Sequence, residues 1–326
     1  MRSTCSLYID AGYLLASAAT RVTGTSLRSG IHVDYDKLIK SLAQLAETRS
    51  GLPMLRAHWY DSARNGVPDV QQERIGELPR VKLRLGRFGV NGEQKGVDLR
   101  IGLDLVAHAR NNASDVFFLL SGDDDLTEAV EEAQVHGVQV VLLAVPNTDK
   151  KAHAVSKHLI LAADELDIIG GDTVDAAVLK VDRRPEPKPI PARPAATSPR
   201  PAAAAPRPAF PTPRDLASLS VDPAAARPTS VLAYTVSTGS PAHVLPGYGD
   251  EHEKYIDEVV RRVLASFRES ASAEEKLELQ RAKPWIPPEI DRALLQDVSD
   301  SIQCYDLNEQ VRCRLRARFW EIHDEE

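Results

Sequence analysis

Aspartates carry the most pointed chemistry in this chain. Asp10 closes the apolar run Ser6–Ile9, within Asp10-Ala11-Gly12-Tyr13. Asp98 follows Lys95-Gly96-Val97, and Asp123, Asp124 and Asp125 follow Leu119-Leu120-Ser121-Gly122. If the two apolar runs are neighbouring strands, Asp10, Asp98, Asp123 and Asp125 converge on one small volume. Carboxylates crowded together at low dielectric repel strongly, and the usual stable arrangement places a divalent cation among them. Hard oxygen donors suit Mg²⁺ or Mn²⁺, held by a few carboxylates together with water and phosphate oxygens. Each piece also has a plainer reading: Asp10 as a turn former, Asp98 and Asp123 to Asp125 as helix-capping acids matched to the dipole. Capping needs one or two acids, however, and here three consecutive ones follow an apolar strand directly.

The elements that must position these acids read as an α/β fold. Candidate strands are Ser6–Ile9, Leu55–Tyr60, Val81–Phe88, Val116–Leu120, Val138–Val145 and Leu166–Ile169, alternating with helical periods. Asp34 can cap a helix through Ala46, Gly96 to Arg110 carries Val97, Ile101, Leu105 and His108 on one face, and a third helix runs from Leu126 to His136 and stops at Gly137. With right-handed crossovers this becomes a three-layer α/β/α domain with a mainly parallel sheet, whose ligands bind outside the carboxyl ends of the strands.

A second chemical feature is basic. In Arg80-Val81-Lys82-Leu83-Arg84-Leu85 the cations fall at every second residue, so a strand would put Arg80, Lys82 and Arg84 on one face, and Arg87, Lys95 and Arg100 extend the charge toward Asp98. Two readings stay open: a phosphate-contacting strand, or a solvated edge that resists aggregation. The chain has no Gly-x-Ser-x-Gly elbow, Walker loop or Gly-x-Gly-x-x-Gly, which argues against serine hydrolases, nucleotide triphosphatases and dinucleotide enzymes. His58 and His108 fall in apolar segments and read as packed, while His153 and His158 have poor spacing for joint metal ligation.

Composition divides the 326 residues. Between Arg183 and Pro213 lie 11 of the 22 prolines with eight alanines, a stretch that cannot build a core and is expected to be an extended tether. The expected organisation is a domain at 1–182, a disordered Pro-rich linker at 183–249, in which Val231 to Val236 resembles a short strand or docking motif, and a small helical unit at 250–326. That unit has helical stripes over Tyr255 to Phe267, Pro288 to Ser301 and Leu307 to Ile322. It reads as a packed bundle, with RNA docking, self-association or binding of a protein partner open to it. The net charge of −7 splits into −5, +5 and −7 over these three regions, so overall acidity does not exclude a nucleic-acid partner. Cys5, Cys304 and Cys313 lack Cys-x-x-Cys spacing, which argues against zinc knuckles and disulfide frameworks and for a reducing compartment. Asp10 interrupts the N-terminal run before a signal region forms and no 18-residue apolar run follows, so no membrane association and a cytoplasmic location are expected.

Tyr8-Ile9-Asp10-Ala11-Gly12-Tyr13-Leu14, Lys95-Gly96-Val97-Asp98 and Leu120-Ser121-Gly122-Asp123-Asp124-Asp125-Leu126, in that order, resemble the NYN domain family of PIN-like nucleases, most closely its LabA-like (DUF88) branch, over residues 4 to 170. The resemblance implies a PIN-like α/β/α fold and a metal-dependent ribonuclease acting endonucleolytically on single-stranded RNA. Asp10, Asp98, Asp123 and Asp125 match the family's metal-binding acids, with Asp124 at the variable middle position and Asp164 as a further candidate. Tyr13 replaces an asparagine common in the family and, with Lys95, Ser121, Arg80, Lys82 and Arg84, completes the expected substrate contacts. Val155-Ser156-Lys157-His158-Leu159 fits the family's closing helix. The alternative is a non-catalytic RNA-binding or regulatory module on the same fold.

Overall fold

The structure is a computed structural model that describes residues 3–63, 66–88, 94–181, 250–302 and 307–325. The tether expected at 183–249, with its strand-like Val231 to Val236, and Cys304 lie outside the described residues.

The central sheet is built from β1 (Cys5–Asp10), β3 (Met54–Ala63), β4 (Val81–Phe88), β5 (Gln94–Lys95), β6 (Val116–Leu120), β7 (Gln139–Ala144) and β8 (Glu165–Ile168) in the order β5-β4-β3-β1-β6-β7-β8. Six strands are parallel and β5 runs antiparallel at the edge of β4. Every residue of β1 and of β6 is buried, as expected of central strands covered on both faces. A separate antiparallel ribbon joins β2 (Ile31–Val33) to β9 (Val178–Lys180).

Helices α1 (Ala11–Thr23) and α2 (Tyr35–Ser50) pack on β1 and β3, with α3 (Val70–Gly76) leading into β4. The chain then turns back across the sheet through α4 (Val97–Arg110) and α5 (Thr127–Val135), which right-handed crossovers place on the opposite face. Short helices α6 (Lys157–Ala162) and α7 (Gly171–Asp175) complete the layers. Asp34 caps α2 by accepting the Lys37 N–H, and Gly137, at φ +82°, supplies the left-handed residue after α5. His58 and His108 are packed inside this body: His58 stacks on Tyr8 with ring centroids 5.0 Å apart, and His108 Nδ1 lies 3.0 Å from the Tyr8 hydroxyl.

Chain direction matters most at β1 and β6. The chain leaves β1 toward β3 and leaves β6 toward β7, in opposite senses, so a crevice opens between the carboxyl ends of these two adjacent strands.

The helical tail comprises α8 (Asp250–Ser270), α9 (Ala273–Ala282), α10 (Pro288–Ile302) and α11 (Glu309–Glu325). Val260, Val263, Leu264, Leu294, Leu315 and Phe319 are fully or almost fully buried in its core. Leu27, from the loop after α1, is buried in the same cluster, and Ser26 N–H donates to Asp297 Oδ1 at 3.0 Å and Ser29 N–H to Glu289 Oε1 at 2.9 Å. Arg314, Arg316 and Arg318 pair with Glu253, Asp291 and Asp257, so this arginine series ties the tail's helices to one another. Among the described residues no helix is long and apolar enough to cross a membrane.

Leu27→Ala is expected to lower stability by about 2–5 kcal/mol, because it leaves a cavity where the tail meets the loop after α1. Urea unfolding followed by circular dichroism measures this, and a change below about 0.5 kcal/mol would contradict the seating of Leu27.

Candidate functional site

Asp10 is the last residue of β1 and the N-cap of α1. Its Oδ1 accepts from the N–H groups of Gly12 at 2.8 Å and Tyr13 at 3.3 Å, and its Oδ2 accepts from Ser121 Oγ at 3.2 Å. Burial, reinforced by the nearby Asp98 charge, pushes its carboxyl up to about 6, although the two N–H donors and Arg28 pull the other way.

At the end of the neighbouring β6 the chain turns through Ser121 and Gly122, and Asp123 caps a 3-10 turn over Asp124–Leu126 by accepting the Asp125 N–H at 3.1 Å. Only glycine fits at position 122. An added Cβ would lie 1.9 Å from the Ala154 carbonyl oxygen and 2.9 Å from the Tyr13 ring. Asp98 arrives from the other side, in the first turn of α4 behind Gly96 at φ +79°. Burial raises the carboxyls of Asp98 and Asp123 as well, with Asp123 and Asp125 acting on Asp98, and Asp125 and Asp124 acting on Asp123.

Asp10, Asp98, Asp123 and Asp124 line one cleft of about 1130 Å³ at the carboxyl end of the sheet. That volume lies at the upper end of small-molecule pockets, with room for more than one nucleotide. Asp125 is exposed and outside the lining, and reaches the cleft through its charge on Asp98 and Asp123. Asp124 sits at the rim, where it accepts a hydrogen bond from Ser156 Oγ and its Oδ2 lies 3.2 Å from His158 Nδ1. Ser156 also caps α6, so the closing helix is fastened to the acidic turn. Among the described residues no three acid, imidazole or thiolate groups close into a ready-made coordination shell. The donor chemistry nevertheless fits a hard divalent cation: Asp10, Asp98 and Asp123 offer only oxygen, and each is raised by burial and by other acids of the set.

Several expected contacts are corrected. Ser121 is fully buried and holds Asp10, accepting the Asp123 N–H as well, so it positions acids and does not face a substrate. The Tyr13 ring lines the cleft, but its hydroxyl donates to the His153 carbonyl at 2.9 Å and accepts from Val145 N–H at 3.2 Å, which commits it to the scaffold. Arg80 precedes β4 and donates to the Met54 carbonyl, and Lys82 follows two residues on, both at the amino end of the sheet and away from the cleft. Arg84 is held by Asp104 on α4, which also accepts from the Tyr60 hydroxyl. Asp164 accepts the Val140 N–H at 2.7 Å, again at the amino end of a strand. Lys95 pairs with Arg87 in the β4–β5 register, and this is the basic segment at the carboxyl end. Arg28, His153 and His158 also line the cleft although no motif in the sequence singles them out as site residues; Arg28 opens a single 3-10 turn, His153 lies in a loop and His158 is in the six-residue α6, segments too short to carry a periodic signal.

A family model described as NYN domain matches residues 4–168, naming the family and not a branch within it. A protein of Sinorhizobium fredii named "Uncharacterized protein y4oD" is 45% identical over 74 residues, covering 23% of this chain. The chain thus spans about a third, 35%, of that relative's length. No solved structure matches the chain.

The raised Asp10 carboxyl makes stability depend on pH. Between its ordinary value of 3.8 and about 6 the folded chain binds more protons than the unfolded one, so stability falls as pH rises through that window. Asp10→Asn keeps a capping acceptor and removes the charge. Without added metal it should exceed the wild type by on the order of 2 kcal/mol near neutrality, with the difference vanishing below about pH 4. Urea midpoints across pH measure it, and a difference independent of pH would contradict the assignment.

Proposed function

Since the chain belongs to the NYN domain family of PIN-like nucleases, whose domains act on RNA, we propose that it is a metal-dependent ribonuclease that hydrolyses phosphodiester bonds of single-stranded RNA endonucleolytically in the cytoplasm. One observation carries this reading: Asp10, Asp98 and Asp123, from three different elements, face one cleft at the crevice between β1 and β6, each with its carboxyl raised by burial and neighbouring acids.

Asp10, Asp98 and Asp123, with Asp125 adding charge, are the residues that would hold Mg²⁺ or Mn²⁺. When bound, such a cation lowers the pKa of a coordinated water and neutralises charge on the attacked phosphate. The protein's own part is placement. Ser121 and the N–H groups of Gly12 and Tyr13 fix both oxygens of Asp10, so that the carboxylate does not need to reorganise when substrate arrives. Gly122 lets the acidic turn pass close to Tyr13 and Ala154, and Ser156 and His158 hold Asp124 at the rim. With water as the nucleophile, no side chain has to form a covalent intermediate, in keeping with the lack of a nucleophile motif.

The test is cleavage of a mixed single-stranded RNA pool with and without Mg²⁺ or Mn²⁺, comparing the wild type with Asp123→Asn. The expected result is metal-stimulated cleavage that falls by about 10²-fold or more in the variant, as loss of a charge-stabilising group in an active site does. Full activity in Asp123→Asn, or a wild type that binds RNA without cleaving it under any metal, would overturn the assignment.

A further inference from the structure

The cleft has one wall that the family-matching residues 4–168 do not supply: Arg292, Gln296 and Asp300 of α10 line it together with Asp10, Asp98 and Asp123. α10 is fixed in that place. Asp297 and Glu289 accept from the Ser26 and Ser29 N–H groups, and Leu294 and Val298 are buried in the cluster that includes Leu27.

Arg292 differs from the other arginines of the tail. Arg314, Arg316 and Arg318 each pair with an acid, whereas half-buried Arg292 makes no hydrogen bond or ion pair with any described residue. Beside it stands Arg28, from the segment that the Ser26 and Ser29 N–H groups fasten to α10; its Nη2 donates to the Gly12 carbonyl at 3.0 Å, leaving its other donors available. Burial and the Arg28 charge both act against the Arg292 cation, while Glu289 and Asp61 act for it. An anion held by both guanidinium groups would offset the repulsion between them. The cleft therefore carries cations beside acids, a pattern that suits a phosphodiester chain with one phosphate at the acidic centre and another on the arginines. Guanidinium forks match phosphate oxygens bidentately, and arginine tolerates partial desolvation better than lysine.

We propose that Arg292 and Arg28 form a phosphate-binding pair that holds the RNA backbone beside the acidic centre, so that the C-terminal helical unit completes the substrate site. This rests on the ribonuclease reading above.

The test uses the full chain and a single-stranded 2′-O-methyl RNA, whose integrity in the mixture is checked on a denaturing gel, titrated in Mn²⁺ at several salt concentrations, with cleavage kinetics on ordinary RNA alongside. Arg292→Ala should weaken binding about tenfold, flatten the dependence of log affinity on log salt by about 1, and raise KM more than it lowers kcat. Arg292→Lys should recover part of the affinity, and Gln296→Glu, which adds a negative charge to the same wall, should weaken binding independently. Circular dichroism checks the fold of each variant, and if Arg292→Ala fails to fold, Gln296→Glu decides. A wild type that cleaves RNA while Arg292→Ala and Gln296→Glu bind it with unchanged affinity and salt dependence overturns the arginine pair alone. A wild type that neither binds nor cleaves RNA overturns the ribonuclease reading together with it.

Discussion

Carboxylates that repel one another, one buried and two half-buried, are the constraint around which this molecule is organised. Asp10, Asp98 and Asp123 are raised by burial and then by one another or by Asp125 and Asp124, so the folded chain bears a standing electrostatic cost at the carboxyl end of its sheet. A fold that only needed a turn there could place one exposed asparagine or serine. Bringing acids from β1, α4 and the turn after β6 to one cleft makes physical sense where a cation offsets the repulsion.

The scaffold meets this constraint with residues that serve two ends. Asp10 caps α1 and faces the cleft with the same side chain, and Ser121 orients Asp10 while holding the Asp123 backbone. Tyr13 ties α1 to the His153 carbonyl and the Val145 N–H, and its ring presses on Gly122. The site is consequently built from backbone-anchored groups on strand ends and helix starts, which hold geometry better than long loops. The tail adds a wall from a distant part of the sequence, seated by Leu27 and by Asp297 and Glu289.

Legibility in the sequence followed the range of the signal. The long parallel strands and the helices α2, α4 and α5 announce themselves by apolar periodicity and local caps, whereas β5, β2 and β9 are two or three residues long and show no alternation to read. Asp10 and Asp123 to Asp125 stand out in the sequence because they follow apolar runs directly, and β1 and β6 are adjacent strands; Asp98 comes instead from the first turn of α4, and Asp125 lies outside the cleft lining. The strand bearing Arg80, Lys82 and Arg84 misled for a specific reason: alternation tells which face a residue occupies but not which end of the sheet it is near. Arg80 and Lys82 proved to be at the amino end, and Arg84 is committed to Asp104 on α4. Arg28 and Arg292 left no local trace, since their proximity depends on how the tail docks.

The central claim, that these acids form a divalent-cation site, is tested most directly by metal binding without RNA. Mn²⁺ titrated into the metal-free chain of 326 residues, followed by calorimetry, should bind saturably near neutral pH. Affinity should fall at least about tenfold in Asp98→Asn, and fall again as pH drops to about 5 and Asp10 takes up its proton. Absence of saturable binding, or equal affinity in Asp98→Asn, would contradict the account.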